Sequence, residues 1–142
     1  MKVIIQIPCK NEEETLASVI RDLPRSLDGF DSVETLVIDD GSTDNTTAKA
    51  LKLGVNHVLR FEINRGLANA FSSGLKFCQQ ALDADVIVNT DGDNQYLGSN
   101  VKDLVDRLRS SHAGMVVGIR DFDGIPHFSW LKKKLLRLGS WV

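Results

Sequence analysis

Short runs of β-branched and other apolar residues alternate with amphipathic helical patterns along almost the whole sequence of 142 residues. The helical patterns carry apolar residues three or four positions apart, and turn residues separate them from the runs. This alternation predicts an α/β fold, a mainly parallel sheet with helices on both faces joined by right-handed crossovers. The predicted strands are residues 2–7, 33–38, 57–61, 86–89 and 115–119.

Five helices are predicted around these strands. A capping box, with Asn11 as N-cap and Glu14 three positions later, starts the first helix, and Pro24 ends it. The second starts at Thr43 or Asp44 and continues to residue 53. The others are residues 67–82, a helix that starts at residue 99 or 100, and a basic helix at residues 129–138.

The composition narrows the class of protein. Its 42% hydrophobic and 25% charged residues are typical of a soluble globular protein, and the length predicts one domain. A net charge of −2 argues against nucleic-acid binding, which favours a basic face. The two cysteines, Cys9 and Cys78, are too few for a disulfide scaffold and predict reduced thiols in the cytoplasm. No stretch approaches the ~20 apolar residues of a membrane span.

Polar clusters follow four of the predicted strands. The carboxyl ends of parallel strands meet at one edge of a sheet, where ligands bind. In Asp91-Gly92-Asp93, two carboxylates one residue apart repel each other unless a cation lies between them, and Mg²⁺ and Mn²⁺ prefer oxygen ligands. A solvated turn is the alternative for this segment. The other clusters are Pro8-Cys9-Lys10-Asn11-Glu12, Asp39-Asp40 and Gly118-Ile119-Arg120.

Several nucleotide and ion sites are excluded by the residues present. The loop after the first strand has no glycine, so it is neither the G-x-G-x-x-G of a dinucleotide site nor the Gly-rich loop of a sugar-phosphate nucleotidyltransferase. Tyr96 stands where an EF-hand needs glycine. Arg120, instead of lysine, follows the fifth strand, which disfavours a phospho-acceptor receiver domain. A nucleoside diphosphate with a metal ion suits every cluster, with carboxylates for the base and ribose and Arg120 for the phosphates.

Five segments resemble, in this order, the motifs of family 2 glycosyltransferases with the GT-A fold: IPCKNEEETLASVI, VIDDGSTDNT, NRGLANAFSSGL, VNTDGDNQY and VGIR. The chain most resembles the dolichyl- or polyprenyl-phosphate sugar transferases. The resemblance covers essentially the whole chain and implies a Rossmann-like nucleotide-diphospho-sugar transferase fold. It implies metal-dependent, inverting transfer of a sugar from a UDP- or GDP-linked donor to a polyprenyl or dolichyl phosphate in cell-envelope glycan synthesis.

The resemblance also implies roles for individual residues. Those implied to hold the base and ribose are Pro8, Lys10, Glu12, Ile38 and Asp40, with Asp39 nearby. Those implied to hold Mg²⁺ or Mn²⁺ and the donor diphosphate are Asp91, Gly92 and Asp93, with Gln95 as a neighbour. Asp91 and Asp93 are the implied metal ligands, and Arg120 the implied phosphate contact. Lys10 departs from the family, which often has an aromatic residue there.

Members of this family continue well past the fifth strand. We therefore expect residues 1–142 to form one nucleotide-sugar-binding domain without the acceptor-side part. A general base, if the acceptor needs one, is expected beyond residue 142. A phosphate acceptor needs none, because a phosphate monoester is already largely dianionic near neutral pH. The alternative is a catalytically incomplete fragment that binds nucleotide sugars.

The last predicted helix carries a hydrophobic stripe and several lysines between two tryptophans. Its stripe consists of Leu131, Leu135, Leu138 and Val142. Such a helix is typical of a membrane interface. We expect residues 130–142, from Trp130 to Val142, to contact the cytoplasmic face of a membrane near a lipid-phosphate acceptor. The alternative is an apolar face that packs on protein.

Overall fold

The computed structural model of the chain describes residues 1–119. Internal contacts divide the chain into two compact units, Met1–Asp106 and Arg107–Val142. The sheet and the candidate site belong to the first unit. Within the second, residues 107–111 complete a helix, and residues 112–119 have no regular secondary structure. The single nucleotide-sugar-binding domain expected from the sequence stays a prediction.

Four strands and four helices alternate along the described residues. They are β1 (Lys2–Cys9), α1 (Leu16–Asp22), β2 (Ser32–Asp39), α2 (Thr46–Lys52), β3 (His57–Arg60), α3 (Leu67–Ala81), β4 (Val86–Asn89) and α4 (Asn100–Ser111). All strand pairs are parallel, in the order β3-β2-β1-β4. The chain extends the sheet first on one side of β1 and then on the other. A crevice at this switch point, between β1 and β4, is where open α/β sheets bind ligands.

Both faces of the sheet are buried along its central strand, β1. Successive strand residues point to opposite faces, and residues 3–7 of β1 are all fully buried. On one face, α3 lays small residues four positions apart, Ala70, Gly74 and Cys78, against β1 and β2. Ala70 and Cys78 join the apolar cluster around Ile38. The predicted α/β architecture is confirmed in the described strands.

Strand β1 continues two residues beyond its predicted end at Ile7. Pro8 lacks an N–H, and alternate residues of a strand point their amides to opposite sides. Cys9 bonds toward β2, because its carbonyl accepts the N–H of Asp40 at 2.9 Å. Pro8 therefore points toward β4, where strand pairing ends at Gln6. The missing N–H interrupts no ladder, so the predicted end of the strand at Ile7 is wrong.

The fifth predicted strand, residues 115–119, is also wrong. This segment has no regular secondary structure, and Met115, Val117 and Ile119 are 75%, 72% and 87% exposed. Its alternating apolar residues fit a strand, but a strand forms only by pairing with another. Among the described residues, no strand pair includes this segment.

The capping box predicted for α1 does not form. The helix begins one turn later, after Thr15, and no side chain caps it. Asn11 instead has a left-handed φ of 58°, and its side-chain oxygen accepts the N–H of Thr43 at 2.8 Å. The predicted local bond is thus replaced by a bond to a distant loop.

Candidate functional site

A cleft of about 370 Å³ opens at the carboxyl ends of the strands, a volume within the range of small-molecule sites. The sequence-predicted residues that line it are Pro8, Lys10, Glu12, Asp40, Asp91, Gly92 and Asp93. They come from the ends of three strands, β1, β2 and β4. The structure therefore brings together the three polar clusters that lie within the described residues. Arg120 and residues 130–142 lie outside the described part of the chain.

The first wall of the cleft is the loop between β1 and α1, which is held by the loop between β2 and α2. The backbone N–H groups of Asn11, Glu12 and Glu13 donate to the side chains of Ser42, Thr46 and Asp44, at 2.9, 2.9 and 3.1 Å. In return, the carboxylate of Glu13 accepts both the backbone and side-chain N–H groups of Asn45. Several side chains of residues 39–46, the sequence DDGSTDNT, therefore hold the loop between β1 and α1 in place.

The ionised form of Asp44 is favoured by this network. Burial opposes the charged form, but hydrogen bonds donated by Thr46 and by the backbone of Glu13 outweigh it. The pKa of Asp44 is consequently below its ordinary value. A charged acceptor gives the loop contact a stronger hydrogen bond than a neutral one would.

Asp39 and Ile38 do not line the cleft, although the resemblance implies that they lie at the nucleotide site. Asp39 is 1% exposed; its carboxylate accepts the backbone N–H of Ser42 at 2.8 Å and the hydroxyl of Thr47. Arg60 Nε lies 3.8 Å from the same carboxylate. Ile38 belongs to the core beneath α3. Their implied roles toward a nucleotide stay predictions, and the contacts observed are internal to the protein.

Asp40 faces the cleft and also bonds to the loop before α3. Its two carboxylate oxygens accept the backbone N–H groups of Arg65 and Gly66, at 2.7 and 2.9 Å. Gly66 itself has a φ of 86°, a conformation that favours glycine. The loop before α3 and the first turn of that helix therefore form a further wall of the cleft. The additional lining residues are Asn64, Gly66, Leu67 and Ala70.

Sequence reasoning assigned no role to this further wall. The Asn64-Arg65-Gly66 sequence is typical of a turn before a helix, but it does not indicate which residues lie near it in space. The cleft depends on the long-range bonds of Asp40, which span 25 and 26 residues. A pattern within one segment cannot report such bonds.

The acidic wall follows β4. Asp91, Gly92 and Asp93 all line the cleft, and Asp93 Oδ1 accepts the backbone N–H of Gln95 at 3.0 Å, which forms a local turn. Gly92 is buried against the opposite loop. A Cβ atom there would lie 2.9 Å from Cys9 Sγ and 3.1 Å from Glu12 Cγ. A side chain at position 92 would therefore push the two acidic residues away from the first wall.

Cys9 is a packed residue rather than a nucleophile. Its side chain is 3% exposed, and its thiol donates to the carbonyl oxygen of Ile7 at 3.4 Å. Burial raises the pKa of the Cys9 thiol far above its ordinary value, and the nearby carboxylates of Glu12 and Asp39 raise it further. The thiolate that nucleophilic chemistry needs is therefore absent at neutral pH.

The acidic wall suits a divalent cation that takes some of its ligands from the protein and the others from a substrate. Carboxylate oxygens are hard ligands of the kind that Mg²⁺ and Mn²⁺ take. Within residues 1–119, no group of three or more His, Cys, Asp or Glu side chains is arranged to hold a metal ion by itself. A cation bound by Asp91 and Asp93 would need further oxygen ligands, of the kind that a diphosphate and water would supply.

The family of the chain follows from a match over nearly its whole length. Residues 4–140 match the glycosyl transferase family 2, and the chain belongs to this family. The resemblance inferred from the motifs is thereby confirmed. The parallel sheet, together with the similarity to solved structures of other proteins, confirms the GT-A fold class as well.

Individual relatives are similar over most of this chain. An uncharacterized protein of Methanocaldococcus jannaschii is 35% identical over 130 residues, 87% of this chain and 54% of that protein. The dolichol-phosphate mannosyltransferase of Pyrococcus furiosus is 29% identical over 144 residues, 99% of this chain and 39% of that protein. The chain thus spans about half the length, or less, of these relatives.

One solved structure is similar in both sequence and fold. It is glucosyl-3-phosphoglycerate synthase from Mycobacterium tuberculosis, in complex with Mn²⁺, UDP and glucosyl-3-phosphoglycerate. The two chains are 28% identical, with a TM-score of 0.60 over 75% of this chain and 39% of the other.

None of the helices within residues 1–119 has both the length and the apolar character that a membrane span requires.

Proposed function

We propose that this protein transfers a sugar from a UDP- or GDP-linked donor to a phosphate-bearing lipid acceptor, a polyprenyl or dolichyl phosphate. The observation that carries the proposal is the composition of the cleft. Polar residues of the β1 and β2 ends, Lys10, Glu12 and Asp40, lie across from the acidic pair that follows β4. One side offers groups for a base, ribose or phosphate, and the other offers ligands for a metal-bound diphosphate.

The donor would span the switch point of the sheet. Carboxylates accept hydrogen bonds from base N–H and ribose hydroxyl groups, which suits Glu12. Lys10, exposed at the rim, supplies a mobile positive charge where the phosphates would lie. Asp91 and Asp93 would hold Mg²⁺ or Mn²⁺, which stabilises negative charge on the leaving diphosphate as a Lewis acid. Relatives support this pairing, since the Mycobacterium tuberculosis synthase is described with both Mn²⁺ and UDP.

The reaction would be a single displacement. An acceptor oxygen attacks the anomeric carbon from the face opposite the diphosphate, the bond from that carbon to the phosphate oxygen breaks, and the nucleoside diphosphate leaves. The configuration at the anomeric carbon inverts. An ionised phosphate acceptor carries no proton on its attacking oxygen, so this chemistry does not require a general base within residues 1–119.

The lipid acceptor is supported by the similarity to the Pyrococcus furiosus dolichol-phosphate mannosyltransferase. Membership of a transferase family across residues 4–140 favours an enzyme over the alternative of a binding fragment. The amphipathic pattern of residues 130–142 supports action at the cytoplasmic face of a membrane, which is the proposed location.

Turnover tests the proposal directly. The protein is incubated with a UDP- or GDP-linked sugar, Mn²⁺ and a short-chain polyprenyl phosphate, and the released nucleoside diphosphate and glycosylated lipid are measured. We expect equal amounts of both products, and none when EDTA is added. Donor binding without lipid product would support the alternative, a fragment that only binds nucleotide sugars. If the protein neither binds the donor nor forms product, the proposal is overturned.

A further inference from the structure

Strand β1 carries a polar side chain, that of Gln6, which is fully buried. Its amide nitrogen donates to Asn89 Oδ1 at 3.1 Å, across the pairing of β1 with β4. Its amide oxygen, Oε1, has no hydrogen-bond partner, and within residues 1–119 no other buried side-chain nitrogen or oxygen shares this state. An unpaired buried oxygen lowers stability, because folding removes it from water. An apolar residue of similar size would avoid this loss.

Helix α3 makes room for this amide. Gln6 Oε1 lies against Gly74, where a Cβ atom would be only 2.3 Å away. Gly74 stands in the middle of α3, and glycine inside a helix is less stable than alanine. Two features that lower stability, an unpaired oxygen and a helical glycine, thus accompany the bond from Gln6 to Asn89. Such departures from good packing are typical of functional sites.

The bond lies at the point where the acidic wall leaves the sheet. Gln6 pairs with Asn89, the last residue of β4, and the pairing of β1 with β4 ends there. The N–H of Thr90 donates to the carbonyl oxygen of Gln6 at 3.1 Å. The next residue of β1 that points toward β4 is Pro8, which has no N–H to continue the ladder. Asp91 therefore follows directly after the last attachment of β4 to β1.

We propose that Gln6 is a positioning residue for the acidic wall: its amide holds Asn89 and thereby sets the direction in which Asp91 and Asp93 leave the sheet. The inference rests on the proposed function, because those two carboxylates are the proposed metal ligands. Gln6 does not line the cleft, so it acts on the metal site only through Asn89. The amide and the glycine that accommodates it then serve the site, although both lower stability.

Gln6→Met separates a positioning role from a merely structural one. Methionine is close to glutamine in shape but has no amide. Asn89 is exposed, so water replaces the bond that its side chain loses. Since the unpaired oxygen also disappears, the midpoint of thermal unfolding should stay the same or rise. The affinity for Mn²⁺ should nevertheless fall. A structural role alone predicts a lower midpoint instead.

Two further variants complete the design. Asn89→Ala removes the other partner of the bond at an exposed position, so it provides the same test of affinity if Gln6→Met does not fold. Lys2→Met is the matched control. It lies on the same face of β1 as Gln6 but at the amino end, where Lys2 Nζ donates to the carbonyl oxygen of Leu82 at 3.0 Å.

Electron paramagnetic resonance measures free Mn²⁺ during titrations with UDP and, separately, with GDP. We expect Gln6→Met and Asn89→Ala each to weaken Mn²⁺ binding by roughly threefold to tenfold, the equivalent of one hydrogen bond. The double variant should lose no more than either single variant, because both changes remove the same bond. In the metal-free proteins, amide hydrogen exchange at Thr90 should be faster in both single variants. Lys2→Met should match the wild type in affinity and in this exchange.

The possible failures are distinguishable. A wild type that binds no Mn²⁺ with either nucleotide would overturn the proposed function, and the positioning role of Gln6 with it. If the wild type binds, an unchanged affinity in Gln6→Met would overturn the positioning role alone. A loss of affinity together with a lower thermal midpoint, or additive losses in the double variant, would overturn it as well.

Discussion

The side-chain oxygen of Thr46 accepts the backbone N–H of Glu12 at 2.9 Å, across 34 residues of sequence. Thr46 is fully buried, and its hydroxyl donates to Asp44 Oδ1 at 2.5 Å. One threonine thus connects the loop that carries Glu12 to the start of α2. The loop on which the proposed nucleotide contacts lie is therefore built into the fold rather than left mobile.

Replacing Thr46 with valine should destabilise the protein by about 1–3 kcal/mol. Valine keeps the shape of threonine but leaves the N–H of Glu12 and a carboxylate oxygen of Asp44 without this partner. Urea denaturation measures the change in the free energy of unfolding. Thr43→Val is the matched control, because Thr43 is exposed, and its loss should be within about 0.5 kcal/mol. Equal losses for the two variants would contradict the bridging role of Thr46.

Gly92→Ala should weaken Mn²⁺-dependent nucleotide binding, because the new Cβ would press on Cys9 Sγ and Glu12 Cγ. Adding Cys9→Ala removes the sulfur and should restore part of the lost affinity. Calorimetry on both single variants and the double variant gives the coupling between the two sites. Gly114→Ala is the control, since a Cβ there meets no atom within 4 Å. Additive losses at positions 9 and 92 would contradict the contact.

Gly74→Ala tests the packing of α3 on the sheet. In an exposed helix this change stabilises by up to about 1 kcal/mol. Here the Cβ would overlap Gln6 Oε1 and lie 2.8 Å from Ile38 Cδ1, so overpacking should dominate and cost about 1–3 kcal/mol. The midpoint of thermal unfolding should fall. A rise in the midpoint would show that α3 can move away from β1 without cost.

The stability of the protein should decrease in acid partly through Glu34. A hydrogen bond with His57, at 2.6 Å, and the charge of Lys2 hold the pKa of Glu34 below its ordinary value of 4.5. A lowered folded-state pKa stabilises the fold above pH 4.5, and this contribution is lost as the pH falls through the folded-state pKa. Glu34→Gln should therefore lose stability at pH 7, by less than about 1 kcal/mol, and show a shallower decline in acid. Parallel pH profiles for the two proteins would exclude this role.

The strands could be predicted because each carries its own signal. β4 has the predicted bounds, Val86–Asn89, since a β-branched run between turn residues reports a buried strand without reference to neighbours. Residues 115–119 carry a similar apolar signal and form no strand, because pairing depends on a partner that their own sequence does not specify. The start of helix α1 was wrong for the same reason, because Asn11 bonds to Thr43 rather than to its own helix.

The lining residues that follow strand ends were predicted correctly. Those that belong to the loop before α3 were missed. Asp91, Asp93 and Glu12 line the cleft as expected, because parallel topology takes them to one edge. The wall at Asn64 and Gly66 was missed, since it depends on bonds to Asp40 that no local pattern encodes.

Metal-dependent nucleotide binding in the cleft is tested by calorimetric titration with UDP and GDP, with and without Mn²⁺, on the wild type and Asp93→Asn. Asp103→Asn is the matched control, an exposed acid of α4 that does not line the cleft. We expect Mn²⁺-dependent binding of at least one nucleotide by the wild type and the control, and a loss of roughly tenfold or more in Asp93→Asn. Equal, metal-independent heats for the wild type and Asp93→Asn would show that the acidic pair does not hold a metal-bound diphosphate.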